Sequence, residues 1–122
     1  MIKIASVVWC EGELAYYLKE ELEAIGLEIE MHDVEPDSLN IYRRLKRESP
    51  GKRLNFNGHT DTVPIVEGWD MDPFTPVIRK GKMFGLGSCD MKGGIACVIN
   101  MLRAVSDSGH QLREELSFSG VI

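Results

Sequence analysis

The chain has 122 residues, of which 43% are hydrophobic and 27% are charged. This length and composition predict one globular domain, or a piece of a larger one, and exclude a disordered polypeptide. The net charge of −5 argues against nucleic acid as a partner, because such binding depends on neutralising phosphates. No apolar run reaches the roughly 18 residues that a membrane span needs, so no membrane partner is expected either.

The cysteines indicate the redox environment of the protein. Cys10, Cys89 and Cys97 form an odd set without the C-x-x-C spacing of metal sites, so a disulfide framework is not expected. The first residues also lack the pattern of a secretory signal peptide. Together these features predict a cytoplasmic protein.

Hydrophobic periodicity predicts four elements in the first half of the chain. Apolar residues at three- and four-residue steps predict a helix from Leu14 to Ile25, which Gly26 ends. Alternation from Leu27 to Met31 predicts a half-buried strand. Between Pro36 and Arg47 a second helix is predicted, with an early proline and late cations on one exposed face. A short strand follows around Leu54.

The second half begins with an irregular loop from His59 to about Pro76. Val77 to Phe84 predicts a hairpin, and apolar residues from Ile95 to Val105 recur with the helical period. A strand from Leu116 to Ile122 follows. This alternation of helices and strands predicts an α/β fold, a partial layered sheet with flanking helices.

A histidine and an acid two residues later stand at the predicted end of a strand. In Gly58-His59-Thr60-Asp61, the imidazole of His59 could bind a metal through one nitrogen while the Asp61 carboxylate orients it through the other. The simpler alternative is a turn histidine beside a solvated acid, because such tripeptides are common.

A second acid stands in a glycine-rich segment, Gly85 to Gly94, just before the amphipathic helix. Asp90 could be a metal ligand or simply the N-cap of that helix. The segment is not a dinucleotide fingerprint, because Asp90 takes the place of the third glycine, and it also lacks the G-K-S/T ending of a P-loop. Lys92 is expected on the surface of the first turn, and Cys89 is expected to be buried.

The two segments together resemble the zinc-dependent aminoacylase and exopeptidase family that includes acetylornithine deacetylase, succinyl-diaminopimelate desuccinylase and carboxypeptidase G. Order, spacing and residue type agree over about 50 residues, between Arg53 and Val105. The resemblance is carried by four stretches: Gly58–Pro64, Trp69–Pro76, Gly81–Gly85 and Asp90–Ala96.

The resemblance implies a fold and a site. The fold would be the N-terminal half of a zinc-exopeptidase catalytic domain. His59 would bind one zinc, Asp90 would bridge two zincs, and Asp61 would orient His59. The peptide bond after Asp90 would be cis. Cobalt or manganese could replace zinc, because mixed nitrogen and oxygen sites discriminate weakly between these metals.

The chain also departs from the family pattern. In the family the general base is a glutamate that follows the next strand, whereas Glu114-Glu115 precedes the strand ending at Ile122 and is expected on a solvated face. Relatives usually carry arginine where this chain has Leu86. Residues 1–122 are therefore expected to be a partial catalytic domain that lacks the general base and the family's lid and dimerisation domain.

Two functions follow from these expectations. The first is a metal-dependent amidohydrolase that cleaves an amide bond of N-acyl amino acids or small peptides with a zinc-bound water. The second is a non-catalytic fragment, or a remnant that folds only with a partner. With two recognisable ligands, where catalytic zinc sites use about three, the chain alone is expected to bind metal weakly and to be inactive. A sheet with an unpaired edge could also self-associate.

Overall fold

The computed structural model describes residues 1–44, 52–109 and 115–122. These residues contain two helices and six strands. In chain order they are α1 (Gly12–Glu23), β1 (Ile29–Glu35), β2 (Ser38–Arg44), β3 (Arg53–His59), β4 (Val77–Arg79), β5 (Lys82–Phe84), α2 (Lys92–Asp107) and β6 (Glu115–Val121).

Four of the strands form one mixed sheet in the order β1-β2-β6-β3. The β1–β2 and β2–β6 pairs are antiparallel, whereas β3 and β6 run parallel, with Phe56 opposite Phe118 and His59 opposite Val121. Strands β4 and β5 form a separate antiparallel hairpin. The fold is therefore α/β, as predicted.

The hydrophobic core joins both helices to the sheet. The apolar stripe of α1 and the apolar face of α2 are buried in the same cluster as side chains from β2 and β6. Full burial of one such aliphatic side chain contributes about 1.5–3 kcal/mol to stability. The cluster comprises Leu14, Ala15, Leu18, Leu22, Leu27, Leu39, Ile41, Ile95, Ile99, Leu102 and Phe118.

The predicted helix from Pro36 to Arg47 is wrong over its described part. Asp37 adopts a left-handed conformation (φ 64°) in the turn between β1 and β2, and the chain then returns as a strand. Proline and aspartate suit such a turn as well as they suit a helix start. The strand is favoured because Leu39 and Ile41, two residues apart, both enter the core. Residues 45–47, which complete the expected cationic helix face, lie outside the described residues.

Local signals located the other elements correctly. Gly26 has a φ of 79° beyond the end of α1, where its N–H donates to the carbonyl oxygen of Glu23. The β4–β5 turn has positive φ at both Lys80 and Gly81, which matches the right-handed twist of the strands. Across the described residues, neither helix has the length and apolar character needed to span a bilayer.

Candidate metal centre

His59 is the last residue of β3, at the carboxyl end of the parallel strand pair. Its Nδ1 lies 2.9 Å from Oδ1 of Asp61 and 3.1 Å from the Asp61 carbonyl oxygen. The loop that follows the strand therefore holds the imidazole of His59 through one ring nitrogen, Nδ1. The other nitrogen, Nε2, is left for a second partner.

That partner is Asp90, 31 residues later in the chain. Its Oδ1 lies 2.9 Å from Nε2 of His59, and the remainder of its side chain is open, with 82% of its surface exposed. The N-cap of α2 is Met91, with no side-chain cap hydrogen bond, so Asp90 does not cap the helix. The Asp90–Met91 peptide bond is cis. The structure thus brings together His59, Asp61 and Asp90.

The loop that carries Asp61 is fixed from both sides by Ser6. The Ser6 hydroxyl donates to the carbonyl oxygen of Thr60 at 2.8 Å, and the Ser6 carbonyl oxygen accepts from the N–H of Thr62 at 2.7 Å. All three side chains are buried. Sequence reasoning missed Ser6, because nothing in its local pattern links it to residues more than 50 positions away.

The start of α2 is anchored by Lys92, and the expectation of a surface lysine is wrong. Its side chain is 2% exposed, and its Nζ donates to the carbonyl oxygens of Ile4 at 2.7 Å and Met1 at 3.4 Å. Burial lowers the pKa of Lys92 to about 8. Gly87 leaves room for the lysine stem, since a Cβ there would lie 3.2 Å from its Cδ.

Two further expectations also fail. Cys89 is exposed rather than buried. Glu115 begins β6, and its carboxylate lies 2.8 Å from Nε of Arg53 with only 18% of its side chain exposed, so it is not on a solvated face. Glu114 lies outside the described residues.

The two carboxylates control the charge of His59. Ionised carboxylates only accept hydrogen bonds, so a bond at each ring nitrogen requires both nitrogens to carry a proton. The hydrogen bond to Asp90 is the largest cause that raises the pKa of His59 above its ordinary value of 6.5. Burial opposes this effect, and the bonds to Asp61 add to it. Without a metal, the two carboxylates therefore stabilise the imidazolium form of His59 relative to a free histidine.

The donor atoms fit a zinc ion, although they are few. Imidazole nitrogen and carboxylate oxygen are both zinc ligands at about 2.0–2.2 Å, which places two tetrahedral ligand atoms about 3.3 Å apart. The observed separation of 2.9 Å between Nε2 and Oδ1 is close to that value. In residues 1–44, 52–109 and 115–122, however, no group of three or more His, Cys, Asp or Glu side chains could hold a metal.

Two curated relatives share much of the sequence. The chain is 37% identical over 102 residues to the succinyl-diaminopimelate desuccinylase of Gluconobacter oxydans, which covers 81% of this chain and 26% of that protein. It is 47% identical over 98 residues to the acetylornithine deacetylase of Photorhabdus laumondii, covering 78% of this chain and 24% of that protein. The chain thus spans about a quarter of the length of these relatives.

The fold also matches a solved structure. The M20 family metallo-carboxypeptidase of Sulfolobus solfataricus superimposes with a TM-score of 0.85 at 20% identity, over 98% of this chain and 28% of that one. The sequence profile of peptidase family M20/M25/M40 matches residues 55–121, which include His59, Asp61 and Asp90. Because that match covers more than half of the chain, the protein belongs to peptidase family M20/M25/M40, whose members are hydrolases.

Proposed function

We propose that this chain is the N-terminal, metal-binding part of an amidohydrolase that cleaves the amide bond of N-acyl amino acids or small peptides. The observation that carries the proposal is the convergence of His59 Nε2 and Asp90 Oδ1 to 2.9 Å from two separate motifs. Both motifs lie within the residues that match the family profile.

Each of the three side chains has a role that its geometry suits. Nε2 of His59 would bind one zinc, and Asp61 would hold Nδ1 so that Nε2 faces the metal. Asp90 would bridge two zincs, because an anionic carboxylate has two oxygens to offer and a neutral imidazole has one free nitrogen. Bound zinc, or cobalt or manganese in its place, would polarise the amide carbonyl and lower the pKa of a bound water.

The names of two relatives support the proposed class of substrate. One is named for removing a succinyl group and the other for removing an acetyl group, in each case from an amino acid. We propose that residues 1–122 are a partial catalytic domain, and that the general base and remaining ligands belong to the portion of the relatives that this chain does not match. The chain alone would then bind zinc weakly and hydrolyse little.

Calorimetric titration of the metal-depleted chain with zinc tests the two ligands. We expect weak binding, of about micromolar affinity or less, that His59→Gln or Asp90→Asn abolishes. His32→Gln and Asp33→Asn are matched controls, because both side chains are exposed on β1, and they should leave the titration unchanged. Binding that survives both site variants, or a nanomolar site, would contradict the proposal.

A chimera tests the activity. In the acetylornithine deacetylase of Photorhabdus laumondii, the 98 matched residues would be replaced by those of this chain. We expect the chimera to hydrolyse N-acetylornithine, and His59→Gln to remove that activity while circular dichroism shows an unchanged fold. A folded, zinc-binding chimera without activity would instead support the alternative, a non-catalytic remnant.

A further inference from the structure

The side chain of Met91 lies between β3 and the start of α2. A Cβ added to Gly58 would lie 3.1 Å from Cε and 3.3 Å from Sδ of Met91, and one added to Gly94 would lie 3.4 Å from the same Cε. The thioether therefore occupies space that exists because these two positions carry no side chain. It packs against Gly58, the residue before His59.

The sulfur of Met91 also contacts the main chain of His59. The N–H of His59 donates to Sδ of Met91 over 3.3 Å. In a strand, successive N–H groups point to opposite sides, and the next one, of Thr60, donates to Val121 on β6. The His59 N–H therefore points away from β6, towards the edge of the described sheet. Met91 supplies an acceptor at that edge, although a thioether sulfur is a weak one.

We propose that Met91 is a positioning residue that sets the separation of His59 and Asp90. This inference rests on the proposed function, in which these two residues bind metal. Met91 is bonded covalently to Asp90 through the peptide link and non-covalently to His59 through its sulfur. It is thus connected to both members of the pair, and a displacement of its side chain changes where the imidazole sits relative to the carboxylate.

The Met91→Leu variant tests the role of the sulfur, because leucine nearly conserves the volume but accepts no hydrogen bond. Met101→Leu is the matched control: Met101 lies on α2, whose N-cap is Met91, and both methionines pack against the core. In the metal-free chain, we expect Met91→Leu to shift the His59 amide resonance upfield and to accelerate its hydrogen exchange. Met101→Leu should leave both unchanged.

Zinc affinity gives the second measurement. We expect Met91→Leu to weaken binding about fivefold, less than the loss of an oriented ligand partner, because an N–H···S contact is a weak hydrogen bond. Met101→Leu should bind zinc like the parent chain. Thermal unfolding of both variants separates a change at the site from a general loss of stability.

The outcomes distinguish this inference from the proposed function. If zinc binding depends on His59 and Asp90 but is the same in Met91→Leu as in the parent, the positioning role is wrong and the proposed function stands. If neither His59→Gln nor Asp90→Asn affects zinc binding, the proposed function fails. An unchanged His59 amide in the metal-free Met91→Leu chain would overturn the role of the sulfur independently of any metal.

Discussion

Nζ of Lys92 lies 2.7 Å from the carbonyl oxygen of Ile4, which precedes it by 88 residues. This hydrogen bond ties the first turn of α2 to the N-terminal segment, next to the loop that carries Asp61. A buried ammonium loses hydration that two carbonyl oxygens replace only in part, and the pKa of Lys92 accordingly falls from 10.5 to about 8.

Lys92 should make the stability of the chain depend on alkaline pH. Its folded pKa is lower than its unfolded pKa, so folding below about pH 8 carries the cost of burying a charge. That cost disappears as the pH rises towards 10.5, and the contribution of this residue to stability increases over the same interval. Urea unfolding at several pH values from 7 to 10 should show the increase. Lys92→Met, which keeps the stem without the charge, should lack it; equal pH dependence in the two proteins would contradict the prediction.

The titration of His59 should depend on Asp90. The carboxylate raises the pKa of the imidazole above 6.5 in the metal-free fold, so the pair stabilises the fold fully below pH 6.5 and loses this effect as the pH rises through the higher folded pKa. Asp90→Asn should therefore lower the pKa of His59, measured from its ring resonances by NMR. Asp33→Asn, on the exposed edge strand β1, is the control and should leave the pKa of His59 unchanged.

Glu11 and Ser38 should stabilise the link between α1 and the β1–β2 turn. Both side chains are fully buried, the Ser38 hydroxyl donates to one carboxylate oxygen of Glu11, and the other oxygen accepts from the N–H of Trp9. Ser38→Ala leaves a buried carboxylate oxygen without its donor, which should cost about 1–3 kcal/mol of unfolding free energy. Glu13→Ala, exposed on the same helix, should change stability by less than about 0.5 kcal/mol. Chemical denaturation of both variants checks this difference.

Gly87→Ala should destabilise the chain more than Gly109→Ala does. Both glycines have positive φ, of 74° and 63°, so alanine at either position costs about 1–2 kcal/mol. Only at Gly87 does the new Cβ also meet a neighbour, at 2.7 Å from Cγ2 of Thr62. Differential scanning calorimetry should rank the two variants in that order.

The double variant Gly87→Ala/Thr62→Ser tests the collision directly. Serine removes the methyl group of Thr62 but retains the hydroxyl that donates to Ser6. The double variant should therefore recover part of the stability that Gly87→Ala loses. If the double variant is no more stable than Gly87→Ala alone, contact with the Thr62 methyl group is not what destabilises Gly87→Ala.

The sequence predicts elements where the signal is local. Gly26 ends α1, and Lys80-Gly81 makes the hairpin turn, because positive φ is a property of the turn residues themselves. The strand β2 was missed because its pairing with β1 and β6, and the burial of Leu39 and Ile41, depend on the rest of the fold. The burial of Lys92 was missed for the same reason: its acceptors are at the other end of the chain.

The sequence suggests three residues for the candidate site, and their roles there stay a prediction. His59, Asp61 and Asp90 belong to segments whose residue types carry the family resemblance, and the structure places them in contact. Ser6 holds the first segment through its hydroxyl and its main-chain carbonyl, and nothing in the sequence around Ser6 indicates these contacts. Met91 lies in a segment that carries the resemblance, but the contact of its sulfur with the N–H of His59 is seen only in the structure. The family resemblance thus points to the candidate side chains, whereas the groups that contact and orient them are identified only from the structure.

The strand order has a consequence for synthesis on the ribosome. β6 is the last described strand to be made, yet it lies between β2 and β3. Until β6 has left the ribosome, no strand of this sheet pairs with both β2 and β3, the strand that ends at His59. The strand that carries His59 can therefore join the β1–β2 hairpin in this sheet only after β6 has been made.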